Sequence, residues 1–371
     1  MEGLRFFRWP LLLLLGCSQT PTPQPDAGAD AGTGCAVTNM QSWPEADALF
    51  QNDPAWIGSD AAYSVDLGAA RVLWLFGDTF IAKDASRSRS NAWFIRNSVA
   101  IQAGYDPSSA TATFAWQTGS SGASSFFPES GANWFWPLGG IRLPTRLVLF
   151  LLEEEATTTG LGFQAVSTKV VFITNADADP SSWVVTDGNL PTFSFPIAFG
   201  AAVASDGTFV YAFGDEEPGD HSVYVARFDA ATLDSGDASQ VSFWTNGAWA
   251  PPTSSPPDVI FPSSSSLDNP PTELSVQARA DGGWLAVHSV GYGATSIAVR
   301  TAPAPQGLWS GPCVAFTPPE SGMPNVLVYA AKGHPELTGA PFIATYATNS
   351  TDLSTLVSDM SLYFPRFVTG N

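Results

Sequence analysis

Four short stretches decide the fold: VLWLFGD at residues 72–78, LVLFLLE at 147–153, FVYAFGD at 209–215 and WLAVHSV at 284–290. Each is an apolar run too short for a helix and rich in the branched and aromatic residues that suit a pleated strand. Each also holds the same place in a longer unit. An apolar strand and a short turn come before it, and a third strand and a tryptophan-bearing segment follow. Those tryptophans, Trp116, Trp183, Trp244 and Trp309, recur at spacings of 67, 61 and 65 residues. A fifth unit, from Asn325 to Phe367, shows three strands. Four-stranded units repeated at such a period are the blades of a propeller. The expected fold is therefore all-β, a five-bladed β-propeller, its last blade completed by residues near Cys35. Two stacked sandwich domains are the competing architecture.

Composition agrees with this and excludes several function classes. Aromatics make up 12% of the chain, including 13 Trp, while Gly and Pro supply 33 and 30 residues and only 13% are charged. That balance suits an all-β domain with turn-rich edges and aromatic surfaces that stack on sugars, and nothing reads as a long amphipathic helix. The formal charge of −19 repels nucleic acid and anionic membrane, and no Gly-rich phosphate loop is present. The three histidines, His221, His288 and His334, show no pair at metal-ligand spacing, which argues against zinc. The acidic turns Asn175-Ala-Asp177-Ala-Asp179 and Asp215-Glu216-Glu217 could hold calcium, but such turns more commonly hold no ion, so neither a metal nor another cofactor is expected.

The first residues suggest export. Arg5 and Arg8 precede the apolar run Leu11–Leu15 and then Gly16-Cys17. This run is too short for a permanent membrane span and fits a signal peptide. Leu-Leu-Gly-Cys is the bacterial lipoprotein pattern, which implies cleavage before Cys17 and lipid on its sulfur; a chance cysteine in an ordinary signal is the plainer alternative. Residues 1–16 are then the signal, residues 17–34 a Pro/Ala/Asp/Gly-rich tether too polar to fold, and residues 35–371 the propeller domain. Ser18 after Cys17 points to the outer membrane of the cell envelope, reached through the lipid alone. Cys35 and Cys313 remain as an even pair, available for a disulfide in an oxidising compartment or present as two buried thiols.

The candidate site follows from strand direction. In each blade the start of the first strand and the end of the second share one rim. In blade one these positions are Asp60 and Asp78. The turn Leu67–Arg71 is roughly symmetric about Ala69, so an unbulged hairpin sets the two opposite, with Cβ atoms about 4.5–5.5 Å apart. Like charges so placed repel, whereas paired carboxylates with separated pKa values are what glycoside hydrolysis requires. The structural alternative is that each aspartate caps its own turn. The same rim should carry Asn97, Trp134, Trp136, Glu273, His288, His334 and Glu336 as substrate contacts, with Glu153–Glu155 and Asp215-Glu216 beside them. Glu273 and Glu336 are the candidates for a third, orienting acid.

WLFGDTFI with IRNSVAIQ, then WFWPLGG, ELSVQAR, AKGHPEL, YATNS and LYFPRFV, resembles domain of unknown function 4185. That group of exported bacterial proteins includes endo-D-arabinanases, and the similarity runs from about Trp56 to Val368. The resemblance implies a five-bladed propeller that cleaves furanoside glycans, with Asp60 and Asp78 as the catalytic carboxylates. One departure is Asp60-Ala61-Ala62, where the family pattern has Asp-Gly. The expected function is thus hydrolysis of a neutral, furanose-containing, arabinan-like polysaccharide by a monomer. A non-catalytic lectin and a protein-binding scaffold are the alternatives.

Overall fold

The structure is a computed structural model that describes residues 35–252, 256–261, 272–291 and 295–371. The signal peptide, Cys17 and the tether lie outside the described residues. Five antiparallel sheets form a ring, each beginning with an inner strand: Trp56–Gly68, Trp134–Arg142, Ile197–Ser205, Leu274–Ala278 and Val326–Gly333. These inner strands neighbour one another in chain order and the first meets the last, so the architecture is a five-bladed β-propeller. The four quoted stretches form the second strands, Arg71–Ala82, Leu147–Ala156, Phe209–Glu216 and Trp284–Val290. Being flanked on both sides within its sheet and covered on both faces by neighbouring blades, each is an almost unbroken apolar run rather than an alternating one. Of the four repeating tryptophans only Trp244 lies within a strand, Val241–Thr245; the other three lie in the turns beside the outer strands.

The ring closes as the fifth unit requires. Its inner strand, Phe342–Ser350 and Arg366–Gly370 accept Gln41–Ser42 as the outermost strand, with Gln41 opposite Thr369 and Ser42 opposite Val368. Thr38 and Asn371 exchange two backbone hydrogen bonds of 2.9 Å beside this pair. Cys35 is bonded to Cys313 of blade four, their Cα atoms 5.6 Å apart. A short helix, Pro44–Gln51, then buries Phe50 against Trp56, Trp74, Phe76 and Phe367. Arg89 ties blades one and five from within. It is 3% exposed and donates to the carbonyls of Ile57, Leu356, Asp359 and Leu362, so its enclosed charge is met by four acceptors.

Four of the five inner strands are bulged in mid-strand. The register shifts at Ala61, before Gly140, between Phe199 and Ala202, and between Tyr329 and Lys332. A bulge leaves a backbone group unpaired and re-aims the next side chain. These bulges therefore bring polar backbone and altered side-chain directions into the central channel. The hairpin of blade one keeps its symmetry about residue 69 for Tyr63 to Asp66, opposite Leu75 to Val72, but the expected unbulged pairing at Asp60 is not found. Ala61 and Ala62 both take positive φ, 65° and 60°, immediately after it. Ala61 thus adopts the left-handed backbone that glycine favours.

Candidate active site in the central funnel

Asp60 and Asp78 lie together at one end of the channel, both half-buried, in opposite surroundings. The backbone carrying Asp78 is fixed by hydroxyl groups. Ser59 Oγ donates to the Asp78 carbonyl at 2.8 Å and Tyr363 Oη donates to the same oxygen at 3.0 Å. Behind Ser59, Thr79, Ser98 and the Trp56 indole continue the network. The Asp78 carboxylate faces donors: Trp136 Nε1 at 2.9 Å and Arg96 Nη1 at 3.3 Å. Arg96 is held in turn over the Trp134 ring, 4.1 Å from its centroid. Burial raises Asp78, and Arg96 and then Trp136 pull it back toward the ionised form.

Asp60 has no guanidinium. Tyr329 Oη donates to its Oδ2 at 2.5 Å and Tyr363 Oη lies 3.5 Å from the same oxygen. Burial first, and then the charge of Glu273, push Asp60 up to about 7; Asp78 adds to this, while Tyr329 and the more distant Lys332 oppose it. Lys332, 1% exposed, forms an ion pair with Glu273 and donates to the carbonyls of Ala61 and Ala330, both within bulges. The ammonium thus satisfies acceptors that the bulges release and holds Glu273 near Asp60. Gly77 completes the packing, since a Cβ there would stand 2.6 Å from Asp60 Oδ1.

Residues 45–369 match the family described as "Domain of unknown function (DUF5005)". The chain belongs to this family. The motifs that resemble domain of unknown function 4185 thus lie in a chain matched by a separately defined family. No curated protein matches this DUF5005 sequence. Among solved structures, a Bacteroides ovatus protein provisionally described as a hydrolase superposes with a TM-score of 0.72 at 16% identity, covering 94% of this chain and 95% of that one. The xylan β-1,4-xylosidase of Bacillus halodurans gives a TM-score of 0.50 at 10% identity, covering 86% of this chain and 54% of that one. At these identities the likeness concerns the propeller fold alone.

Elsewhere in this DUF5005 propeller, the rim reasoning succeeds in part. Trp136 and Glu273 join the pair as expected. Trp134 is 5% exposed and lies beneath Arg96, supporting that side chain rather than offering a free stacking face. Asn97 is fully buried, where it donates to the carbonyls of Phe127 and Phe135 and accepts from Phe127 N, so it anchors a loop and cannot touch a substrate. His288 is also fully buried: its Nε2 accepts from Arg300 Nε and its Nδ1 lies 2.9 Å from the Ser289 carbonyl. His334 and Glu336 are at the other end of the channel. The inner strand of blade five starts at the Asp60 rim and reaches them only after Gly333, so they follow the strand's far end. There His334 Nδ1 meets Ser64 Oγ at 2.6 Å, and Glu336 borders a cavity of about 280 Å³ with Asp66 and Arg142. Glu336 is therefore no third acid for this pair.

Sequence reasoning missed Tyr329, Tyr363 and Lys332. Lys332 and Tyr363 sit inside motifs already quoted, AKGHPEL and LYFPRFV, but a motif does not say which of its side chains turns inward. Two further acids crowd the same rim. Glu154, 2% exposed, is pushed up to about 8 by burial and then by Glu217, Asp78 and Asp215. Asp215, 1% exposed, is raised to about 6 by burial, with His221 opposing.

Proposed function

We propose that this protein is a glycoside hydrolase acting on a neutral, furanose-containing polysaccharide, with Asp60 as general acid and Asp78 as the ionised partner. The observation that carries the proposal is the unequal environment of two adjacent carboxyls. One is kept protonated toward neutrality by burial and a neighbouring carboxylate, while in the other Arg96 and Trp136 oppose the rise that burial imposes. In the reaction Asp60 gives its proton to the glycosidic oxygen as the bond to the anomeric carbon breaks. Asp78 serves that carbon directly or takes the proton of the attacking water, and a water supplies the hydroxyl of the new reducing end. Arg96 and Trp136 keep the Asp78 charge oriented throughout.

The resemblance to domain of unknown function 4185 makes D-arabinan the first polymer to test, with L-arabinan and xylan beside it. Purified residues 35–371 should release oligosaccharides from one of these, and both Asp60→Asn and Asp78→Asn should lose at least a thousandfold in rate while still binding the polymer. Binding without cleavage by the parent protein would replace the enzyme with a lectin. The lipoprotein pattern at Cys17 supports delivery to the envelope surface, where such polymers arrive. Incorporation of labelled palmitate that disappears in Cys17→Ala tests that part.

A further inference from the structure

We propose that Asp215, Glu217 and His221, with Glu154 beside them, form a binding site for a divalent first-row transition ion, Zn²⁺ foremost. Among the described residues, the ligand atoms of Asp215, Glu217 and His221 all lie within 4.8 Å of one another. His221 Nδ1 is 3.0 Å from Glu217 Oε2 and 3.5 Å from Asp215 Oδ2. Ligand atoms 2.0–2.2 Å from a tetrahedral zinc ion stand about 3.3–3.6 Å apart, so small side-chain shifts close these three around one ion.

Clustering alone would not distinguish this group from a solvated acidic turn. The distinguishing observation is that its buried atoms are left without hydrogen bonds. Asp215 is 1% exposed and Glu154 2%, yet Asp215 Oδ2 and Glu154 Oε2 accept no hydrogen bond, and His221 Nδ1 makes none of acceptable geometry despite its short distances. Glu154 belongs to the neighbouring blade, and the charge acting on it most strongly is that of Glu217. Two carboxylates thus converge on one imidazole, and the charge of Glu154 adds to theirs from the neighbouring blade. Buried acceptors of this kind each carry a desolvation cost that a bound cation would remove. The sequence-based expectation of no metal set the acidic turn at Asp215-Glu216-Glu217 aside and did not join His221 to it.

The donor set also selects the ion. Calcium and magnesium take oxygen ligands almost exclusively, whereas one imidazole nitrogen with carboxylate oxygens suits zinc. The site adjoins the proposed catalytic rim through Glu154, whose carboxyl feels Asp78, but no catalytic step is assigned to the ion.

The test uses tag-free residues 35–371, treated with chelator, dialysed, and titrated calorimetrically with Zn²⁺, Mn²⁺, Ca²⁺ and Mg²⁺ chlorides. One equivalent of Zn²⁺ should bind, with Ca²⁺ and Mg²⁺ at least a hundredfold weaker, and Zn²⁺ should raise the melting temperature. His221→Ala should weaken Zn²⁺ at least tenfold. His221 is partly exposed, so this variant should keep its fold, and anomalous scattering at the zinc edge from soaked parent crystals locates the ion independently. Absence of binding overturns the proposal. Unchanged affinity in His221→Ala, a zinc peak elsewhere, or preference for Ca²⁺ does so as well.

Discussion

Replacing Tyr329 by Phe removes one hydroxyl and leaves the ring in place, which makes it a direct probe of Asp60. Tyr329 Oη donates to Asp60 Oδ2 at 2.5 Å and opposes the rise that burial and Glu273 impose. A hydrogen bond to an ionised group is worth about 1.5–3 kcal/mol, and one to the neutral acid about 0.5–1.5 kcal/mol. The differential loss is therefore about 1–1.5 kcal/mol, or about one pH unit at 1.36 kcal/mol per unit. A general acid must be protonated, so kcat/KM of the parent should fall as pH rises through about 7. In Tyr329→Phe the alkaline limb should move up by about one unit, to about 8. Initial rates on the polysaccharide the parent cleaves, measured from pH 5 to 9.5, give both limbs. Tyr363→Phe should move the limb less, because its hydroxyl is 3.5 Å away. A limb that stays in place, or moves to lower pH, removes Asp60 from the acid's role.

Other expectations follow from the same contacts. Asp60→Asn should gain stability at pH 8 while losing activity. The folded carboxyl holds its proton to about 7 against a reference of 3.8, so native stability declines as pH rises between these values. The gain, read as a melting-temperature difference that vanishes near pH 4, is at most about 4 kcal/mol. Gly77→Ala forces a methyl to 2.6 Å from Asp60 Oδ1, so kcat should drop at least tenfold with the circular dichroism spectrum unchanged. Lys332→Met leaves Glu273 and two carbonyls without their cation, and urea denaturation should show a loss of about 3–5 kcal/mol. Cys35→Ser opens a link spanning 278 residues, and its unfolding free energy should fall by about 2–5 kcal/mol.

What the sequence revealed and concealed divides along strand geometry. The blades were legible because a fully enclosed strand must be apolar at every position, as Leu147 to Leu151 are, and four such runs at one period admit few arrangements. The Asp60–Asp78 neighbourhood was legible because a hairpin's symmetry survives even where bulges disturb its pairing. Those same bulges hid the remainder. Shifts at Ala61 and between Tyr329 and Lys332 aim Lys332 across the channel at a carbonyl 271 residues away in sequence, which no local pattern reports. His334 and Glu336 lie past Gly333, at the far end of blade five's inner strand, and the motif AKGHPEL does not tell which end of a strand it marks. Asn97 and His288 were polar residues in rim-like positions whose partners are interior, and only the burial of those partners separates structural polarity from functional polarity.

The joining of Gln41–Ser42 to Val368–Thr369 bears on how the protein comes into being. The last blade lacks its outer strand until Gln41–Ser42 meets Val368–Thr369, a pairing of segments far apart in sequence. Four blades can assemble from local contacts, but the ring cannot close before Arg366–Gly370 is in place. Until then Gln41–Ser42 has no strand to pair with. A chain truncated even a few residues short of Asn371 should therefore be lost to aggregation or degradation rather than accumulate as a smaller, active propeller.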